Sequence, residues 1–375
     1  MKPLSLRRNI AFSFVLLCLS AFIAFILSEV LLRAFYPQST GPVMFAFDPR
    51  LGQIPVPSQK GRRRLPGVYE YDFENDSSGM RKTASASGSG TRLRALFLGD
   101  SFTYGIGVED SQTFASLTGQ GLSATVKPIA AYNAGNPGSG TDYAVQFLRV
   151  RGKTLHPDVI VIAFFPNDFD DNQGMRYFQS ITADRLVPAN LAETFAFFRK
   201  KSGLIESPLY NWLSSHSHAV NLLKRLAAWS SLAGGLGNFA EFVQSRADAA
   251  HIEKGFATEQ GVALTATLMS WADKEARRLG SDLVFAYIPT SVEVGRFRRT
   301  RKSGDDERAF ESAYGGIHGL RISFTRALAD SRLPPEHLYF AEGHWTAEAH
   351  RIAARVLTQE LALLLKRRVG DQKGL

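Results

Sequence analysis

The 375-residue chain has a single cysteine, Cys18, and it lies inside an apolar stretch near the N-terminus. No intramolecular disulfide can form and no thiolate metal site exists elsewhere, so stability must come from packing. Charge is also scarce. Only 21% of residues are Asp, Glu, Lys or Arg, against 45% hydrophobic residues and 27 Phe, a balance that can bury a core and argues against wholesale disorder. The net charge of +9 does not mark a nucleic-acid binder. Lys and Arg are spread along the chain, and the run Arg62-Arg63-Arg64 falls in a loop-like segment. There is no internal repeat, and the length suits one large α/β unit with insertions or two modest domains.

What the chain does have, at its start, is a long uncharged run. Residues 9 to 28 are rich in Phe, Leu, Ile and Ala, which matches the roughly 20 residues a helix needs to cross a bilayer. Lys2, Arg7 and Arg8 precede it, and Glu29 and Arg33 follow it. By the positive-inside tendency the N-terminus faces the cytoplasm and the bulk of the chain lies outside. A cleaved signal peptide needs a shorter apolar core and a small-residue cleavage site, which is not seen before Glu29. A lipoprotein cysteine needs small residues where Leu16 and Leu17 stand. Residues 1–36 are therefore expected to form a cytoplasmic N-terminus and transmembrane anchor, with residues 10 to 32 staying in the membrane.

Residues 37–91 are rich in Pro, Gly, Ser and Arg and read as an extended linker that wraps onto the following domain. Regular structure is expected from about Arg92, in a domain covering residues 92–368 with a tail at 369–375. Apolar runs at 93 to 98, 159 to 165 and 282 to 288 each end in Gly, Pro or Asn and read as buried strands; a weaker strand is expected at 126 to 132. Apolar runs separated by helix-length segments predict a parallel sheet of the βα type, covered on both faces. Between about 172 and 256 the pattern turns helical, as at 208 to 226, and breaks at Gly234, Gly235 and Gly237. This is expected to be a helical insertion. Core-facing helices are expected at 258 to 279 and 346 to 365.

Three segments carry chemistry. Gly99-Asp100-Ser101-Phe102-Thr103-Tyr104-Gly105 follows the first buried run, which places Ser101 at the carboxyl end of the sheet, with helix N–H groups behind it. The same residues also suit an ordinary helix cap. Asn133-Ala134-Gly135-Asn136-Pro137-Gly138-Ser139-Gly140-Thr141 could bring a bare N–H at Gly138 close to a ligand, or could be a plain turn. Asn167-Asp168 reaches the same edge; an Asn amide is a good oxyanion donor, and Pro-Asn-Asp is also turn chemistry. A serine needs a base. Of the eight histidines, His216, His218 and His251 lie in the insertion, where His216 and His218 lack the carboxylate or cysteine companions of a metal site. His156, His318 and His337 lack companion motifs, and His350 lies inside the last helix. His344, in Glu342-Gly343-His344-Trp345, sits in a loop just before that helix.

Taken in order, Gly99-Asp100-Ser101 with Thr103 and Gly105, Gly138 after Asn133, Asn167-Asp168 and the C-terminal His344 resemble the four blocks of the SGNH (GDSL-like) hydrolases, over residues 92 to about 365. Asp48-Pro49-Arg50-Leu51-Gly52 and the segment from Asn75 to Arg81 resemble the lead-in of bacterial membrane-anchored members. The resemblance implies a three-layer α/β/α flavodoxin-like parallel sheet, no obligatory cofactor or metal, and an oxyanion hole made of the Ser101 and Gly138 N–H groups and the Asn167 amide. The chain departs from the pattern at Phe102, which replaces Leu, and at Phe165, which stands where Gly is expected and narrows the acyl side. Ala341 occupies the usual position of the acid, three residues before the histidine. Glu342 sits two before it, as the Asp does in members that resemble exopolysaccharide O-acetyltransferases. Either Glu342 orients His344, or Ser101 and His344 work as a dyad with a backbone carbonyl behind the imidazole.

The expected function is a serine esterase in the bacterial cytoplasmic membrane, single-pass, with its catalytic domain extracytoplasmic. Its substrate would be a small acyl ester or an O-acylated glycan. An O-acyltransferase would start from the same acyl-Ser101, and an inactive glycan-binding or scaffolding module is the reading from another class.

Overall fold

The computed structural model describes residues 6–84, 93–174, 176–232 and 255–371. The first element is the helix Leu6–Phe35, within which Ile10–Phe35 is long and apolar enough to cross a membrane and is not buried against the rest of the chain.

Residues 37–84 depart from the expected linker. They form two antiparallel hairpins, β1 (Phe45–Asp48) with β2 (Gly52–Pro55) and β3 (Lys60–Leu65) with β4 (Tyr69–Glu74). The second hairpin alternates exposed residues with partly buried ones, and its Arg62 pairs with Asp72 and Glu70 on the solvent side. The arginine run that reads as a loop is thus a strand, with Arg62 and Arg64 on its charged face and Arg63 on the other, over the Phe73 ring. The opposite face delivers Tyr71 and Phe73, which pack with Met44, Phe45, Tyr104 and Ile106.

The centre of the fold is a five-stranded parallel sheet formed by β5 (Leu93–Gly99), β6 (Ile129–Gly135), β7 (Val159–Phe164), β10 (Asp282–Tyr287) and β11 (Leu320–Ser323), in the spatial order β6-β5-β7-β10-β11. Relabelled by position in this sheet, the order is 2-1-3-4-5. Alternate residues serve opposite layers. Ala95, Phe97, Val159, Val161, Ala163, Val284 and Ala286 pack against the helices Phe114–Thr125, Ser291–Thr300 and Ala347–Asp371. Leu96, Leu98, Ile160, Ile162, Phe164 and Phe285 pack against Thr141–Leu155, Glu259–Leu279 and Asp305–Ala313. Both faces are covered, so both sets of residues are apolar and the strands read as unbroken runs.

Several boundaries differ from the expectation. The weak strand lies at Ile129–Gly135, three residues later than 126 to 132, because Thr125 still belongs to the preceding helix and Pro128 follows it. Strand β11 is only four residues long, on the sheet edge, and has no apolar run to announce it. The region from 172 is not wholly helical, since β8 (Phe178–Ile181) and β9 (Leu186–Pro188) form a hairpin there. The stretch 208 to 226 is broken at Ser217 into Pro208–His216 and His218–Leu232. Gly234, Gly235, Gly237 and His251 lie outside the described residues.

The chain runs from β5 to β6 over one face of the sheet and from β6 to β7 over the other. The connection that leaves β5 turns to β6 over the first face, whereas the one that leaves β7 turns to β10 on the other side over the second, so a crevice opens at the carboxyl ends of β5 and β7, the switch point where open α/β sheets hold their ligands. The closest approach in this crevice is at Gly135, where an added Cβ would run into the backbone of Thr103 and Tyr104, whereas one at Gly138 (φ +72°) would meet nothing within 4 Å. Gly135→Ala should therefore lower stability by about 3 kcal/mol. Gly138→Ala should cost only the about 1–2 kcal/mol of a left-handed residue. Thermal unfolding of the two variants in detergent checks the contrast; equal losses would place the crevice elsewhere.

Candidate active site

Ser101 opens directly from the end of β5. Gly99 has φ +147°, and an added Cβ there would meet the Thr103 hydroxyl and the Ala163 carbonyl oxygen at 2.6 Å, so only glycine lets the chain turn this sharply next to β7. Asp100 caps the turn, its Oδ1 accepting from the Phe102 N–H at 2.9 Å. The helix that follows is a single turn, Ser101–Tyr104, closed by left-handed Gly105. This is shorter than expected. A macrodipole scarcely develops in one turn, and what remains at the Ser101 end is local, an N–H group that heads the helix and has no intrahelical acceptor.

His344 arrives from the far end of the sequence in a tight turn, in which the Phe340 N–H donates to the His344 carbonyl at 2.8 Å and the Gly343 N–H to the Phe340 carbonyl at 2.9 Å. Its neighbour Trp345 is fully buried against Phe102, Phe114 and Phe324. That anchor fixes where the imidazole hangs. His344 Nε2 lies 2.8 Å from Ser101 Oγ, and His344 Nδ1 lies 3.0 Å from Glu342 Oε1. With Nδ1–H donated to the carboxylate, the Nε2 lone pair is left to take the serine proton. Ser101 is 8% exposed, and the Glu342 side chain is 6% exposed. Of the other histidines, His350 is buried and its Nδ1 accepts from the Phe114 N–H, burial holding it neutral with a pKa near 3. His216 and His218 each turn to backbone partners, the Trp212 carbonyl and the Gln38 N–H. Among the described residues no group of His, Cys, Asp and Glu is arranged to hold a metal ion.

The loops after β6 and β7 meet beside this chain of groups. Asn133 Nδ2 donates to the Thr103 carbonyl and the Asn136 N–H donates to the Gly99 carbonyl, both at 2.8 Å, which ties the glycine loop to the Ser101 turn. Gly138 is half-buried, with its N–H donated to no acceptor among the described residues. Asn167 Nδ2 donates to Asp171 Oδ2 at 3.2 Å. The position of Asn167 is thus set by Asp171, whose other oxygen lies 3.6 Å from Arg176; Arg176 in turn donates to the Gly138 carbonyl at 2.5 Å. A carboxylate and a guanidinium couple the two loops that carry the expected oxyanion donors.

Sequence reasoning missed two arginines. Arg176 lies in a region read as insertion. Arg81, in the lead-in, is a fully buried cation whose guanidinium donates to the carbonyls of Tyr104, Gly105 and Val108 and pairs with Asp110 at 2.6 Å. It stacks between Tyr71 and Tyr104. Arg81 thereby holds the closing end of the Ser101 turn, and the hairpins become part of the site's frame. Between Met80 and Lys82, Arg81 carries no signal beyond its place at the end of the lead-in segment.

Phe165, partly buried, stacks on Phe102 at 4.4 Å, and Phe102 lies 5.1 Å from the His344 ring. Phe256 adds a third ring, 6.3 Å from Phe165. The three rings thus form an aromatic wall that begins at the His344 imidazole.

No protein-family model and no curated protein matches the chain. Solved structures that are similar include a two-domain esterase active on acetylated mannans, at 12% identity and a TM-score of 0.40, covering 72% of this chain and 49% of that one. The chain thus spans about half the length of that esterase. A catalytic mutant of an acetylxylan esterase from Geobacillus stearothermophilus matches at 14% identity and a TM-score of 0.41, covering 73% of this chain and 96% of that one. A lipase/acylhydrolase from Enterococcus faecalis matches at 14% identity and a TM-score of 0.37, covering 72% and 95%.

Beneath the serine, carboxylates crowd. Burial pushes Asp100 up to about 7 and Asp142 up to about 6, and burial together with the Asp100 charge drives Asp168 well above the usual carboxylate range. A carboxyl that binds its proton more tightly in the folded chain stabilises most at low pH, and that contribution is lost as the pH climbs from near 3.8 through about 6. His350 acts in the opposite sense, its contribution being lost as the pH falls below 6.5. The informative quantity is therefore a difference. Asp142→Asn keeps the acceptor for the Tyr143 N–H and removes the charge, so its stability relative to wild type should rise by roughly 1–3 kcal/mol between pH 4 and pH 7. Urea unfolding at the two pH values measures it, and a pH-independent difference would show that Asp142 is charged throughout.

Proposed function

We propose that the chain is a serine esterase that cleaves a short acyl ester, of the kind carried by O-acylated glycans, and that its N-terminal helix holds it at the outer face of a bacterial cytoplasmic membrane. The observation that carries this reading is the continuous hydrogen-bonded series Ser101–His344–Glu342 at the carboxyl edge of a parallel sheet. A hydroxyl, a base and an orienting carboxylate in this order activate a nucleophile for acyl transfer.

In the proposed cycle Ser101 Oγ attacks the acyl carbon as His344 Nε2 takes its proton. The tetrahedral oxyanion is met by the N–H groups of Ser101 and Gly138 and by the second amide hydrogen of Asn167, whose first is held by Asp171. Protonated His344, stabilised by Glu342, passes its proton to the departing alcohol oxygen and leaves acyl-Ser101. Water then attacks that ester, His344 taking a proton from it and returning it to Ser101 Oγ as the carboxylic acid leaves. The aromatic wall of Phe102, Phe165 and Phe256 supports a small acyl group, with acetyl first among those to test. The apolar span Ile10–Phe35, behind Lys2, Arg7 and Arg8, supports the anchoring.

Steady-state hydrolysis of acetyl esters and acetylated oligosaccharides by the full chain in detergent tests the roles. Ser101→Ala and His344→Ala should each abolish turnover with the fold intact, and Asn167→Ala should lower kcat about 100-fold with little change in binding. Glu342→Gln should lower kcat at least about tenfold and Glu342→Asp less. Wild-type kcat in Glu342→Gln beside an inactive His344→Ala would remove Glu342 from the mechanism and leave a dyad. The aromatic wall has its own test, since Phe165→Ala should raise the butyrate-to-acetate ratio of kcat/KM about tenfold or more; an unchanged ratio would put the acyl group elsewhere.

A further inference from the structure

The helices Pro208–His216 and His218–Leu232 of the insertion are fastened to the N-terminal helix by a set of polar contacts. Glu29 Oε1 accepts from the His218 N–H, and Oε2 accepts from the Ala219 N–H and the Ser217 hydroxyl, each at 2.9 Å. A carboxylate from the first helix therefore caps the start of the second. Arg33 pairs with Glu29 at 2.8 Å and donates to the His216 carbonyl at 2.6 Å. Just beyond the first helix, the Gln38 N–H donates to His218 Nδ1 at 2.7 Å, Arg225 donates to Gln38 Oε1 at 2.8 Å, and the Val43 N–H donates to Asn211 Oδ1 at 3.0 Å.

These contacts set a level along the first helix. A helix rises about 1.5 Å per residue and a hydrocarbon core is about 30 Å thick, so about 20 residues cross it. Counted from Ile10, where the apolar span begins, that length ends at Glu29. The insertion is thus joined to the first helix where that helix would leave the hydrocarbon. The helix pair fastened there exposes large apolar side chains. Leu209 (66%) and Trp212 (58%) share one face of Pro208–His216, and Leu223 (61%) and Leu226 (51%) share one face of His218–Leu232. Shortly before them in the chain come the exposed Arg199, Lys200 and Lys201.

We propose that this helix pair lies in the outer headgroup layer of the membrane that the first helix crosses. Leu209, Trp212, Leu223 and Leu226 enter among the lipids, and Arg199, Lys200 and Lys201 meet lipid phosphates. The combination of Leu and Trp inserted at the interface with flanking cations is that of an interfacial amphipathic element. The proposal rests on reading Ile10–Phe35 as a membrane span. Its consequence is that the domain is seated on the bilayer in a fixed attitude instead of trailing from a tether: the short helix Ala196–Lys200 brings Phe198 against the hairpin cluster that contains Tyr104 of the Ser101 turn.

The test uses the full chain, one copy per nanodisc, with a polarity-sensitive thiol label. Native Cys18, inside the span, reports anchoring. In a Cys18→Ser background, Leu209→Cys and Leu223→Cys report the helix pair, and Leu363→Cys, on an exposed Leu of the C-terminal helix, is the control. Spin-labelled lipid with a shallow nitroxide should quench the 209 and 223 labels at least about twofold and leave the 363 label unaffected. A lipid-like emission from the Cys18 label with no quenching at 209 and 223 would overturn the proposal while the anchor stands, and a water-like emission from the Cys18 label would remove both. Protection of 209 and 223 that appears only in crowded liposomes, and not in single-copy discs, would assign the patch to a second copy of the chain and also overturn the proposal.

Discussion

The hydrogen bond between Ser101 Oγ and His344 Nε2 spans 243 positions of sequence, and nothing local makes it. It exists because a sheet edge brings Ser101 out at one point and a buried tryptophan fixes the other side. Gly99 supplies the turn, and Asp100 caps it. Trp345 pins the His344 loop against Phe102, the residue that follows the serine, so the same contact that packs the core sets the reach of the imidazole. A shift of about 1 Å at either end would open the bond. The topology leaves a crevice there because the connections that leave the neighbouring strands β5 and β7 depart to opposite sides over opposite faces.

Around that bond the site is braced by buried cations. Arg81 closes the carbonyl end of the Ser101 turn, and Arg176 joins Gly138 to Asp171 and so to Asn167. Both arginines are taken out of water, which is tolerable only because carbonyls and carboxylates receive their donors. Removing either would leave partners buried without a donor, so the arginines set the geometry of the Ser101 turn and of the Gly138 and Asn167 loops. The carboxylates beneath the serine extend this logic. Burial and the charge of Asp171 raise the pKa of Asp100, burial and the charge of Asp100 raise that of Asp168, and Asp100 still accepts the Phe102 N–H.

Much of this was legible in the sequence because it depends on local pattern. Strands β5, β7 and β10 are buried on both faces, so each shows as an apolar run, and the long helices Glu259–Leu279 and Ala347–Asp371 show their apolar stripes. Ser101, Gly138 and Asn167 could be placed at one edge because each follows a strand, and His344 because it directly precedes the last helix. What could not be read depends on partners far away. Strand β11 is too short to carry a period, and β6 was misplaced by three residues because the end of the preceding helix has no strong breaker before Pro128. The hairpins at 37–84 looked like a linker since their strands are four to six residues long and one face is arginine. Arg81 and Arg176 have no local signature, and the fastening of Glu29 to the insertion joins positions 188 to 190 residues apart.

The central claim is that Ser101 carries an acyl group during turnover, and a direct measurement is the mass of the protein in rapid acid quench after mixing with an activated acetyl ester. The full chain should gain the mass of one acetyl group in the first turnover, with proteolysis placing it on the peptide that contains Ser101. In the Ser101→Ala protein that adduct should be absent. Acetyl ester consumed at the wild-type rate with no adduct on Ser101, or with the adduct on another residue, would contradict the account.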